Sequence, residues 1–176
     1  MSNYKEIVTK AVVGKAKKTS AGDYTLSTEE IPNTVLGCWV INHSFNGTNN
    51  GGAVLINGTF DVNVWYSYDN DSKTAVSTKR FNYTDMMNVR LKDNKLITDK
   101  SEIIVRGLKQ PTVTEVKIEE GLVKLNIEKE LGVEVIGDTK LKVSVEEDED
   151  DYEVISDDVE EDVDAVINEI DEDYLN

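Results

Sequence analysis

The stretch Phe60-Asp61-Val62-Asn63-Val64-Trp65-Tyr66-Ser67-Tyr68 decides the fold. Phe60, Val62, Val64, Tyr66 and Tyr68 recur at period two, with Asp61, Asn63, Trp65 and Ser67 between them, which is the alternation of a half-buried β-strand. The following Asp69-Asn70-Asp71-Ser72 has turn chemistry and leads into a second β-rich run from Thr74 to Tyr83, so the pair predicts a hairpin. Further along, Val123, Leu125 and Ile127 alternate with Lys124, Asn126 and Glu128, and Leu141, Val143 and Val145 alternate with Lys142 and Ser144. Weaker strand candidates lie at Ile7–Val13, Val35–Asn42, Ala53–Ile56, Ile103–Leu108, Val113–Ile118 and Val133–Ile136.

Turn signals separate these runs at Gly22-Asp23, Pro32-Asn33, Asn46-Gly47, Asn49 to Gly52, Asn57-Gly58, Asp93-Asn94, Gln110-Pro111, Glu120-Gly121 and Gly137-Asp138. Many short strands at regular spacing, with no convincing helix among them, predict an all-β body: an antiparallel β-sandwich or a partly open barrel. Only Tyr83–Asn94 has too poor a periodicity to assign.

Charge divides the chain at Val145. Residues 1–145 hold all 19 Lys and Arg against 18 Asp and Glu, whereas residues 146–176 hold 17 acids and no base. The reading is therefore a near-neutral body, 1–145, large enough for its own core, and an acidic tail, 146–176. Six consecutive acids, Glu146 to Asp151, repel one another and predict an extended, solvated, mostly disordered spacer. Beyond it Val159, Val163, Val166 and Ile170 fall on one side of a helix, with Ile155 and Tyr174 extending the stripe and Ser156 placed as N-cap. Valine is a weak helix former and the acids repel, so a short helix is expected only when a partner covers the stripe; permanent disorder is the alternative.

Several chemistries lose support. One cysteine, Cys38, and one histidine, His43, provide neither a disulfide nor a zinc ligand set. Their odd separation on one strand is expected to put them on opposite faces, which argues against a nucleophile and base pair. There is no Gly-x-Ser-x-Gly elbow, no P-loop and no GxGxxG run. A glycosidase role for Asp61 lacks a second carboxylate at any definable distance, and Asp69 and Asp71 lack the Gly and distal Glu of a calcium loop. No catalytic, cofactor or metal site is assigned.

The tail makes nucleic acid a poor partner, and the longest aliphatic run, Ala53 to Ile56, is far short of a membrane span. Lys5, Glu6 and Lys10 interrupt the region where a signal peptide would carry its apolar segment, so a cytoplasmic, non-exported product is expected. Asn-x-Ser/Thr triplets at Asn42, Asn46, Asn57, Asn70 and Asn82 are then compositional.

What stands out is the aromatic string. Trp65 falls on one face of its strand and Tyr66 and Tyr68 on the other, so one set must be covered by a second sheet while the other is free to meet a partner. Trp39, Trp65, Tyr66 and Tyr68 are the self-association candidates, and Val159, Val163, Val166 and Ile170 the partner-docking candidates of the tail. A sugar-binding platform is the alternative use of outward rings, and an unrecognised hydrolase a third reading.

Particular strings add a resemblance. The opening Met1-Ser2-x-Tyr4-x-Glu6-Ile7-x-Thr9-Lys10-Ala11-Val12-Val13, the segment Leu36-Gly37-Cys38-Trp39-Val40-Ile41-Asn42-His43, the run Asp61 to Tyr68, the pair Gln110-Pro111 and the stretch Glu134 to Lys140 resemble, in order and spacing, the outer spore coat morphogenetic protein CotE family of endospore-forming Firmicutes. The acidic C-terminal tail resembles that family too. The resemblance implies a non-enzymatic scaffold, without cofactors, made in the mother-cell cytoplasm during sporulation and then part of the spore coat. It also implies assembly on a basement layer of other morphogenetic proteins, self-association through the body and recruitment of outer coat or exosporium proteins through the tail. The tail here is poorer in Trp and richer in Val than the family pattern.

Overall fold

The computed structural model describes residues 3–92 and 95–145. Six strands follow one another without an α-helix among the described residues: β1 (Asn3–Leu26), β2 (Thr34–Asn50), β3 (Ala53–Tyr68), β4 (Lys73–Met87), β5 (Glu102–Glu119) and β6 (Leu122–Val145). They form two three-stranded sheets, ordered β1-β6-β5 and β2-β3-β4. The ladders β2–β3, β3–β4 and β5–β6 are antiparallel. Side-chain pairs Lys15 with Glu134, Thr19 with Glu130 and Asp23 with Asn126 run in opposite senses along β1 and β6, as antiparallel neighbours must. The all-β sandwich expected from periodicity is the observed class. The acidic spacer and the stripe Val159, Val163, Val166 and Ile170 lie outside the described residues.

The expectation of many short strands is corrected. Six long strands of 15 to 24 residues take their place, because five anticipated turns lie inside strands. These are Gly22-Asp23, Asn46-Gly47, Asn57-Gly58, Gln110-Pro111 and Gly137-Asp138. Two of the glycines serve close packing instead of chain reversal. A Cβ on Gly47 would collide with the Val105 side chain, and one on Gly58 with the ring of Tyr83, its directly opposed residue on β4. Pro111 sits on the edge strand β5 within a register shift, where its missing N–H costs no ladder bond.

Real reversals occur where backbone chemistry demands them. Gly51-Gly52 and Glu120-Gly121 form two-residue hairpin loops with positive φ at both positions, and Asp69, Asn70 and Asp71 carry φ of 54°, 55° and 61° between β3 and β4. Asp71 Oδ1 accepts from the hydroxyls of Ser67 (2.5 Å) and Thr34 (3.1 Å), which fixes that turn to the end of the sheet.

The core belongs to one compact unit, Glu6–Leu141. Val54, Ile56, Phe60, Val62, Val64 and Tyr66 of β3 face Val123, Leu125, Ile127, Leu131, Val133 and Val135 of β6, all buried. Each such side chain contributes about 1.5–3 kcal/mol relative to exposure. Tyr24, Phe60 and Phe81 make edge contacts across the interior at 4.9–5.2 Å between centroids.

Candidate functional site

With Phe60, Val62, Val64 and Tyr66 directed inward, the pleat sends Asp61, Asn63, Trp65 and Ser67 to the outer face of β3. The register then selects which residues of the flanking strands join them. Trp65 lies opposite Gly37 of β2 and Val76 of β4, Asn63 opposite Trp39 and Thr78, and Asp61 opposite Ile41 and Arg80. Two tryptophans, 26 positions apart in sequence, thereby meet on one surface. A Cβ built on Gly37 would lie 3.6 Å from the Trp39 ring and 3.7 Å from the Trp65 ring, so the indoles flank the glycine. They are 43 % and 44 % exposed, and Ile41 (40 %) and Val76 (56 %) stand beside them. Half-exposed indoles with aliphatic neighbours are of the residue types that protein interfaces favour.

Its polar border is held internally. Arg80 Nε donates to Asp61 Oδ1 (2.7 Å) and Nη2 to Oδ2 (3.1 Å), and the Asn42 amide donates to Oδ2 (3.0 Å). Arg80 and Asn42 together hold the Asp61 carboxyl down to about 2. A carboxylate so engaged is unsuited to proton transfer near neutral pH. Thr78 Oγ1 donates to Asn63 Oδ1 (2.6 Å).

The candidates separate by face. Trp39 and Trp65 share the outer surface. Tyr66 is 1 % exposed and its hydroxyl donates to Glu30 Oε2 (2.6 Å), while Tyr68 packs half-buried against the core with its ring 6.0 Å from that of Tyr66. The two tyrosines therefore belong to the interior side of β3.

Cys38 and His43 require a correction. A register shift between Ile41 and Ser44, with Asn42 at φ 55°, resets the alternation, so His43 turns inward like Cys38. They remain chemically separate. His43 Nδ1 lies 3.3 Å from Gln110 Oε1 and Nε2 lies 2.7 Å from the Tyr83 hydroxyl. A carbonyl can only accept, so Nδ1 carries the proton and the neutral ring accepts from Tyr83 at Nε2. Burial lowers the His43 pKa, and burial raises the Cys38 thiol to about 11, opposite to the shift that activates a nucleophile.

Sequence reading missed a buried ionic group. Lys129 occupies the inward row of β6 between Ile127 and Leu131, its Nζ 3.1 Å from Asp85 Oδ2, 2.9 Å from Ser20 Oγ and 4.0 Å above the Tyr83 ring centroid. Burial and the Asp85 charge push the Tyr83 hydroxyl up. No buried side-chain polar atom among the described residues lacks a hydrogen-bond partner. The signal was present as a single charge in the row Val123, Leu125, Ile127, Lys129, Leu131, Val133, Val135.

The fold is an all-β sandwich with two half-exposed indoles on one outer face. Comparison with protein families matches residues 3–176 to outer spore coat protein E (CotE), and the chain belongs to that family. The family is one of structural proteins of the spore coat, so the spore coat is where the protein resides. No match emerged among curated proteins or among solved structures.

Proposed function

We propose that the protein is a morphogenetic scaffold of the outer spore coat, which self-associates on the forespore surface through the Trp39 and Trp65 face and recruits outer coat or exosporium proteins through residues 146–176. The observation that carries this reading is the half-exposed pair of indoles with Ile41 and Val76 on an otherwise well-packed sheet. Desolvating such rings against a partner supplies association energy that a solvated charge surface cannot. Basement-layer morphogenetic proteins are the expected support beneath the assembly. In the tail, 17 acids without a base attract basic clients, and Val159, Val163, Val166 and Ile170 offer an apolar stripe once a client is in place. Synthesis in the mother-cell cytoplasm precedes both steps.

The division of labour has a direct test. Capture of basic coat proteins by the tail falls steeply as salt rises, because exposed charges are screened beyond about 8–10 Å near physiological ionic strength. Homo-oligomers held by the aromatic face persist. Sedimentation of the full chain in a salt series, with and without coat extract, measures both; oligomers that dissolve in salt while client binding survives would overturn the assignment. The same face, with Asn63 and Thr78 as hydrogen-bonding neighbours of the indoles, also suits a glycan, and glycan-array binding abolished by Trp65→Ala would favour that alternative.

A further inference from the structure

The four edge strands are not equally protected. Edge strands expose unpaired N–H and C=O groups, and stable proteins blunt them with bulges, prolines, charged side chains or a covering segment. β2 carries register shifts at Val35/Gly37 and Ile41/Ser44, and β5 carries three, between Gly107 and Glu115, together with Pro111. β1 is bridged at Gly14 by Leu91 and bears Lys15, Lys17 and Lys18. β4 carries Lys73, Lys79, Arg80 and Asp85 but neither bulge nor proline. Its pairing with β3 runs without a shift from Tyr68↔Lys73 to Val54↔Met87, it contains no proline, and Lys73 to Asn82 are exposed or half-buried throughout.

The two charges in the middle of β4 are engaged within their own copy. Arg80 is bound to Asp61 of its own sheet, and Lys79 donates to the Thr25 carbonyl (3.2 Å) with its Nζ 4.9 Å above Phe81. We infer that the free edge of β4 pairs antiparallel with β4 of a second copy, joining two sheets into one of six strands. The inference rests on the self-association reading above and names a contact distinct from the aromatic face.

Self-complementarity selects the occupant. A two-fold axis normal to the sheet keeps outer face beside outer face, and placed at Thr78 it overlaps Lys73 to Tyr83 of each copy. Val76 then opposes Arg80, Ser77 opposes Lys79 and Ala75 opposes Phe81, so no like charges face each other. Moving the axis to Lys79 or Arg80 would set lysine on lysine or arginine on arginine. The same symmetry makes the Trp39 and Trp65 surfaces of the two copies continuous.

Oxidative cross-linking of full-length Thr78→Cys in a Cys38→Ala background tests the geometry, since residues opposed across the axis have Cα atoms about 4.5–5.5 Å apart, within disulfide range. The expected result is rapid disulfide-linked dimer from Thr78→Cys and none from Thr84→Cys. In a second variant, Thr78→Lys, lysine would face lysine on the axis; dimer affinity falls at least tenfold with an unchanged melting temperature. Absence of the cross-link in a chain that still oligomerises overturns β4 pairing and leaves self-association standing. A chain that is monomeric at every concentration overturns both.

Discussion

The two outer faces of the sandwich differ in kind. On β1-β6-β5 the charges lie in rows: β6 supplies Glu128, Glu130 and Glu134, and the flanking strands supply Lys15 and Thr19 on one side and Arg106 and Lys109 on the other, at 2.8–3.6 Å. Exposed pairs of this sort contribute little to stability, but they keep a surface wet. On β2-β3-β4 the centre is indole and aliphatic, and the charges at its margin are bound to each other. The first face carries ion pairs around a half-exposed Leu108; the second presents two half-exposed indoles. On β3 the inward row belongs to the core and the outward row carries Trp65, so under the proposed function stability and association are separable by mutation.

The comparison breaks most completely if its shared interior is removed. Phe60 is fully buried between the two sheets, and Phe60→Ala costs about 3–5 kcal/mol by denaturant titration, weakening both faces together. Asp85→Asn leaves Lys129 buried beside a neutral partner and costs about 3 kcal/mol by the same measurement. Smaller again is Gly58→Ala, at about 1–3 kcal/mol, because the opposed Tyr83 ring is pinned by His43 and cannot swing clear of a methyl group. At the charged face, Lys17→Glu shifts stability by less than about 0.5 kcal/mol and leaves the oligomer distribution unchanged.

Acidification sharpens the same contrast. The His43 pKa is lowered in the fold, so its contribution is complete above the unfolded value of about 6.5 and is lost as pH falls through the lower folded value. Asp61, held to about 2 from 3.8, keeps its contribution above about pH 4 and loses it toward pH 2. Thermal melts across pH 4–8 should therefore register interior His43, with His43→Gln flattening the profile, while Arg80 and Asp61 at the outer margin stay silent until pH falls below 4.

Period-two alternation was enough to read the class of fold, and it put Trp65 on the face opposite Tyr66 before any contact was known. It could not join Trp39 to Trp65, because that depends on the β2–β3 register and on the shift between Val35 and Gly37. Turn residues misled where they served packing: Gly47 and Gly58 read as reversals, yet their missing side chains admit Val105 and Tyr83. The alternation argument failed for His43 because a bulge at Asn42 adds a residue that periodicity does not count. Lys129 escaped notice because the alternation was read only to Glu128, whereas the inward row continues through Lys129 to Val135.

Sedimentation velocity of the full-length chain beside its Trp39→Ser, Trp65→Ser double variant, over a range of concentrations, bears most directly on the central claim. The account predicts concentration-dependent multimers for the parent and markedly smaller species for the variant, at a melting temperature changed by no more than a few degrees. A parent that stays monomeric, or a variant that assembles as the parent does, would contradict it.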